Sequence, residues 1–156
     1  MERLGGERIT APMLQILRYV WPLPWTLVGL TAAALVRLAG GQWQRRDGAL
    51  EAFGGAAGRL ARRLPAPMRF DAITLGHVII AVDRQAADGA RCHEHVHIRQ
   101  YERWGALFVP AYLAASVWQG LRGGAPYRDN VFEREAYAAS PISSMPGACA
   151  GMGKVK

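Results

Sequence analysis

Two cysteines, Cys92 and Cys149, are too few to staple 156 residues, so the small disulfide-framework folds are excluded. Acidic side chains are also scarce. There are 12 Asp and Glu against 19 Lys and Arg, a formal charge of +7 carried almost wholly by arginine. Cysteine-based zinc-finger spacing, RNA-binding signatures, a long basic helix and internal repeats are all absent. The basic surplus therefore does not point to nucleic acid. Arginines scattered among apolar stretches fit an anionic lipid surface better. A cleavable leader is not expected, because the first apolar run begins late and Arg37 interrupts the place where a cleavage site should follow. Histidine is rare as well, but three of the four fall within five residues, His93, His95 and His97.

What is present is apolar mass. Half of the residues are hydrophobic, and mean hydropathy is near zero. The length suits one domain with one core. Residues 1–15 read as a loose lead-in. Tyr19–Val36 is an uncharged run of 18 residues, flanked by Trp21, Trp25 and Trp43. This is at the lower edge of a membrane span, with interfacial aromatics in place. Pro22 and Pro24 put the helix start near Trp25, favouring an interfacial or re-entrant segment. Arg37, Arg45 and Arg46 follow it closely, with Arg59, Arg62 and Arg63 further on, against Arg3, Arg8 and Arg18 before it, a balance that leans toward a cytoplasmic C-terminal portion.

Further on, Asp47-Gly48 and Gly54-Gly55 are turn signals around a short strand, Ala49–Phe53. A basic helical piece covers Ala56–Leu64. Met68–Val82 is rich in β-branched residues and predicts one or two strands that include His77. Asp83–Arg91 reads as a polar connection, and helix is expected from Cys92 onward. Trp104–Leu121 is a second uncharged run of 18 residues, suited to a core helix or a second membrane segment. Arg122–Asp129 predicts a loop and Val131–Ala139 a short helix. The tail from Ser140 lacks periodicity and predicts disorder.

The chemistry concentrates in His93-Glu94-His95-Val96-His97. On a helix His93 and His97, four apart, share one face and can reach one metal. Glu94 is rotated away from the metal yet close enough to serve a water bound there as general base. His95 then points elsewhere, and Cys92 is a poor further ligand. On a strand, residues 93, 95 and 97 would instead share a face. Gly89, His95, His97 and Glu102 resemble the opening of a cupin metal motif, although Val109 stands where that motif has glycine and no second histidine-bearing motif follows. A third ligand on the helical reading comes from His77 or from Glu133 or Glu135. Of these two glutamates, Glu133 also fits a capping box with Asn130 at the N-cap.

The HExxH segment resembles the gluzincin zinc peptidases, in which a glutamate on a later helix completes the site. Glu133-Arg134-Glu135-Ala136-Tyr137 is similar to the Glu-x-x-Ala-Asp pattern of integral-membrane endopeptidases of the CAAX-processing type. Tyr137 stands in the place of the aspartate, which in that family helps orient a ligand histidine. The stretch from His93 to Tyr137 also resembles small bacterial proteins with an HExxH helix. The resemblance implies zinc held by His93, His97 and Glu133, Glu94 as base, and a peptide or protein substrate.

The expected fold is α+β: a mainly helical, minimal zincin-like domain with a small β element near residues 68–82 and an N-terminal apolar, membrane-associated helix. Residues 1–46 would form the membrane segment, 47–139 the metal-binding domain and 140–156 a disordered tail. The expected function is a membrane-associated zinc metallopeptidase at a bacterial inner membrane. The alternative is a non-catalytic metal-binding or membrane-interaction protein that retains a zincin-like fold.

Overall fold

The computed structural model describes residues 16–65 and 69–140. The expectations for residues 1–15 and for the tail beyond Ser140 lie outside these. The fold is α+β, with helices on both faces of a four-stranded mixed sheet. A helical stretch at 16–20 and a turn at 21–22 lead into α1 (Leu23–Leu38). Proline at its first turn suits a start where the backbone N–H has no partner to lose.

The chain next makes a hairpin, β1 (Gln42–Arg46) and β2 (Ala49–Phe53), paired antiparallel with Arg46 opposite Ala49. Its two-residue turn is Asp47-Gly48, with φ of 48° and 84°. Positive φ at both positions is the mirror-image turn that matches strand twist. The strand Ala49–Phe53 has the bounds that its turn residues predict, but its partner β1, Gln-Trp-Gln-Arg-Arg, has no apolar alternation to announce it. The expected division at residue 46 falls between the two strands of this hairpin.

After α2 (Gly55–Ala61) come β3 (Ala72–Leu75) and β4 (Val78–Ala81), a second antiparallel hairpin. The sheet order is β1-β2-β4-β3, with β2 and β4 parallel at the centre. The β element is thus larger than the stretch 68–82, and β3 is an edge. His77 is not on a strand. It sits in the Gly76-His77 turn, where Gly76 at φ 62° lies against Thr26 of α1 too closely for any Cβ.

Side chains of the central strands alternate between two cores, as the pleat requires. Ala52 and Val78 meet Ala33 and Val36 of α1. Gly29 lets α1 approach, since a Cβ there would lie 2.6 Å from Leu75 O. Ala49 and Ile79 meet Ile98 of α3 (Arg84–Trp104) on the other face. Helix α3 begins well before Cys92, so residues 84–91 are helical and not a connection. Asp83 is the reason: its Oδ1 accepts from Ala86 N at 2.8 Å, capping the first turn. The polar first turns of α3 hide this start from any apolar period.

A 3₁₀ turn, Gly105–Leu107, redirects the chain into α4 (Phe108–Leu121). Helix α5 (Val131–Ala139) follows the 122–129 loop, with the bounds its sequence predicts. Asn130 caps it by accepting from Phe132 N at 3.0 Å. Tyr101, Phe108 and Phe132 form the aromatic core that joins α3, α4 and α5. Among the described residues, no helix is long and apolar enough to cross a membrane.

Candidate metal centre

Residues 93–97 lie within α3, so the strand-based cupin alternative does not apply. His93 and His97 turn one face of α3 toward α5, and α5 turns Glu133 toward them. The two Nε2 atoms are 3.1 Å apart. Glu133 Oε2 is 3.2 Å from His93 Nε2, and Oε1 is 3.4 Å from His97 Nε2. Ligand atoms about 2.0 Å from one tetrahedral centre lie about 3.3 Å apart; the two imidazole nitrogens have this spacing, and each has one oxygen of the Glu133 carboxylate at a similar distance. Despite its proximity to His93, Glu133 Oε2 is fully buried and makes no hydrogen bond. A buried carboxylate oxygen left this way is costly unless a cation completes it.

The electrostatics agree with this geometry. Burial acts to raise the Glu133 pKa, but the adjacent His93 and His97 imidazoles and the Tyr112 hydroxyl outweigh it and hold the carboxyl well below its usual range. Burial acts to lower His97, but Glu133 and Glu94 reverse this and raise it. The cluster therefore pairs the carboxylates of Glu133 and Glu94 with the imidazoles of His93 and His97, an arrangement in which a proton and a metal cation would compete for the same nitrogens.

Supporting residues fix the ligands. His97 Nδ1 donates to Gln100 Oε1 at 2.8 Å, which leaves Nε2 to face the cluster. Gln100 Nε2 in turn donates to Phe132 O at 3.0 Å and Glu135 Oε2 at 2.9 Å. One amide thus orients a histidine and ties α3 to α5. Tyr112 of α4 donates to Glu133 Oε1 at 2.7 Å. Tyr137 packs its ring against His93, tilted by 58° with centroids 4.6 Å apart. Tyr137 thus forms an aromatic wall beside His93, and Gln100 is the side chain that orients His97. Gln100→Leu is expected to weaken metal binding about 10–100-fold, measured by competition with a chelating dye.

Glu94 is buried, and its Oε2 accepts from Thr74 Oγ1 of β3 at 2.7 Å. Burial raises its pKa, opposed by His97, Thr74 and His93. It lines a cavity of about 1110 Å³ together with His93, His97, Glu133 and the edge strand β3. That volume admits an extended segment of several residues.

The remaining candidates lie elsewhere. His95 faces the sheet side, buried, with Nε2 unpartnered, and burial lowers its pKa. His77 stacks on Tyr19 and is 3.4 Å from Glu102, apart from the cluster. Glu135 holds Gln100 and is not a member of the cluster. Glu133 does not serve as a capping-box residue, since its carboxylate is turned into the site. Thr74 and Tyr112 carry roles that their sequence context does not signal. Only Gln100, one turn beyond His97 and able to reach it, had a readable cue.

Comparison with protein-family models, curated proteins and solved structures yields no match.

Proposed function

We propose that the protein is a zinc-dependent metallopeptidase acting at a membrane surface, with His93, His97 and Glu133 as ligands and Glu94 as general base. The observation that carries this reading is the convergence of two imidazole nitrogens of α3 and the carboxylate of Glu133 on α5, with contacts of 3.1–3.4 Å. Two imidazoles and a carboxylate are a donor set suited to catalytic zinc. The cavity beside them, walled by an edge strand, supports an extended peptide as substrate.

A bound zinc would supply Lewis acidity, bringing the pKa of a water toward neutrality and polarising a carbonyl. The chain's own groups do the rest. Glu94, buried and with its pKa raised, is suited to accept a proton and return it to a leaving amine. Thr74 restricts the carboxylate to one orientation. Tyr112 and Gln100 hold Glu133 and His97 in place. Placement on the cytoplasmic face of a bacterial inner membrane is supported by the arginines that flank the apolar N-terminal segment, which suit an anionic lipid surface.

A second reading, a non-catalytic metal-binding protein on the same fold, draws on Tyr137, whose ring crowds His93. Metal content and turnover separate the possibilities. Purified wild type is expected to hold about one zinc per chain, in preference to iron or manganese, and His97→Ala to lose it. Hydrolysis of a peptide library by the zinc-loaded chain then supports the peptidase, and metal without turnover supports the second reading. Wild type without bound metal sinks both.

A further inference from the structure

Helix α4 is inside out. Its polar side chains face the protein: Tyr112 donates to Glu133, and Ser116 Oγ accepts from Asn130 Nδ2 at 2.7 Å. Its outward stripe is Pro110, Leu113, Ala114, Val117, Trp118 and Leu121, all exposed. Trp118 is 57% exposed, Val117 61% and Leu121 79%. A water-facing helix has the opposite arrangement. The N-terminal half of α1 repeats the pattern with exposed Leu23, Leu27 and Val28. The start of α1 meets the 3₁₀ turn that leads into α4, where Trp25 Nε1 donates to Ala106 O at 2.9 Å and Trp21, just before α1, packs on Gly105. A contiguous apolar surface of this kind marks an interaction site.

Charge identifies the occupant. Between 103 and 128, and again between 16 and 46, every charged residue is an arginine: Arg103, Arg122 and Arg128, then Arg18, Arg37, Arg45 and Arg46. Arg122 lies over the Trp118 ring at 5.6 Å, at the end of the stripe. A two-fold interface between copies would bring like arginines together. An anionic bilayer instead meets aromatic, aliphatic and cationic groups each at their own depth. At 14 residues α4 is about 21 Å long, against about 30 Å of hydrocarbon, so it can lie in the interface but not cross it.

We infer that the outward stripe of α4, joined by the start of α1, is a docking surface for anionic lipid on which the protein rests without spanning the bilayer. Leu113 belongs both to this stripe and to the lining of the metal cavity, so the cavity opens at the lipid surface. The inference rests on the membrane location proposed above and not on the metal.

The test is co-sedimentation of the full chain with vesicles of phosphatidylcholine containing or lacking phosphatidylglycerol. Wild type is expected to bind the anionic vesicles, more weakly at high salt, and to bind pure phosphatidylcholine poorly. Trp118→Ser and Leu121→Ser should each lower partitioning about tenfold, and Arg122→Gln about fivefold. Circular dichroism confirms folding, which substitution at these exposed sites should leave intact. Vesicle binding should be the same with and without a metal chelator, so loss of the metal reading leaves this one standing. Failure of wild type to bind anionic vesicles overturns the inference, as do outward-stripe variants that bind unchanged. A chain that is dimeric in solution and becomes monomeric with Trp118→Ser also overturns it, assigning the surface to a second copy.

Discussion

Glu94→Gln is expected to retain zinc at the wild-type stoichiometry and to lose peptide hydrolysis by about 10²–10⁴-fold. The substitution preserves shape, and the amide oxygen can still accept from Thr74 Oγ1, which holds the carboxylate at 2.7 Å. It removes only the capacity to take up a proton. Glu94 is outside the converging group of His93, His97 and Glu133, so metal content should not follow its charge. The comparison is made by metal analysis and peptide turnover on the same preparation. Unchanged turnover would remove Glu94 as base. Lost zinc would assign it a structural role.

The largest effect on stability is expected at the opposite face of α3. Arg91 places Nε 2.7 Å from Glu51 Oε1 and Nη2 3.1 Å from Oε2, and both residues are buried. Asp88 accepts from the same guanidinium at 2.5 Å, and Gln44 donates to Glu51. Hydrogen bonds to Glu51 raise the Arg91 pKa against the opposing effect of burial, so the cation persists over any accessible pH. Arg91→Ala leaves Glu51 buried and unpaired at the centre of β2, at a cost of about 3–5 kcal/mol. The double variant Arg91→Met with Glu51→Leu should recover most of that loss, because two well-packed apolar groups need no ion pair. Urea unfolding of both variants checks this. A double variant as unstable as the single one would show that packing, not the stranded charge, sets the cost.

Much of the architecture was legible where local chemistry decides it. Asp47-Gly48 announces its turn because both positions need positive φ, and Asn130 announces α5 because its side chain satisfies a backbone N–H. His93 and His97 share a face by helical spacing alone. The choice of Glu133 over Glu135 had no such local basis and came from family resemblance; the structure brings Glu133 to the histidines and gives Glu135 to Gln100. What could not be read depends on distant partners. Strand β1 is polar and exists because a turn delivers it to β2. The first turns of α3 lack an apolar period because Arg91 faces a buried glutamate 40 residues away. Thr74 reaches Glu94 across 20 residues, and no spacing rule connects a strand hydroxyl to a helix carboxylate.

Two members of the candidate site, His93 and His97, ride on one rigid helix, whereas Glu133 reaches them only after α4 and the following loop have been placed. The cluster is thus half local and half long-range, and its second half is the slower to assemble, since contacts distant in sequence carry the entropy of closing the loop between them. A cation that bridges both halves binds the assembled chain and not the unfolded one, so it stabilises by mass action, by about 2.7 kcal/mol at a hundredfold excess over its dissociation constant. That stabilisation falls on the docking of α5 more than on the sheet. Metal availability would then govern how much of the population has its last helix latched in place.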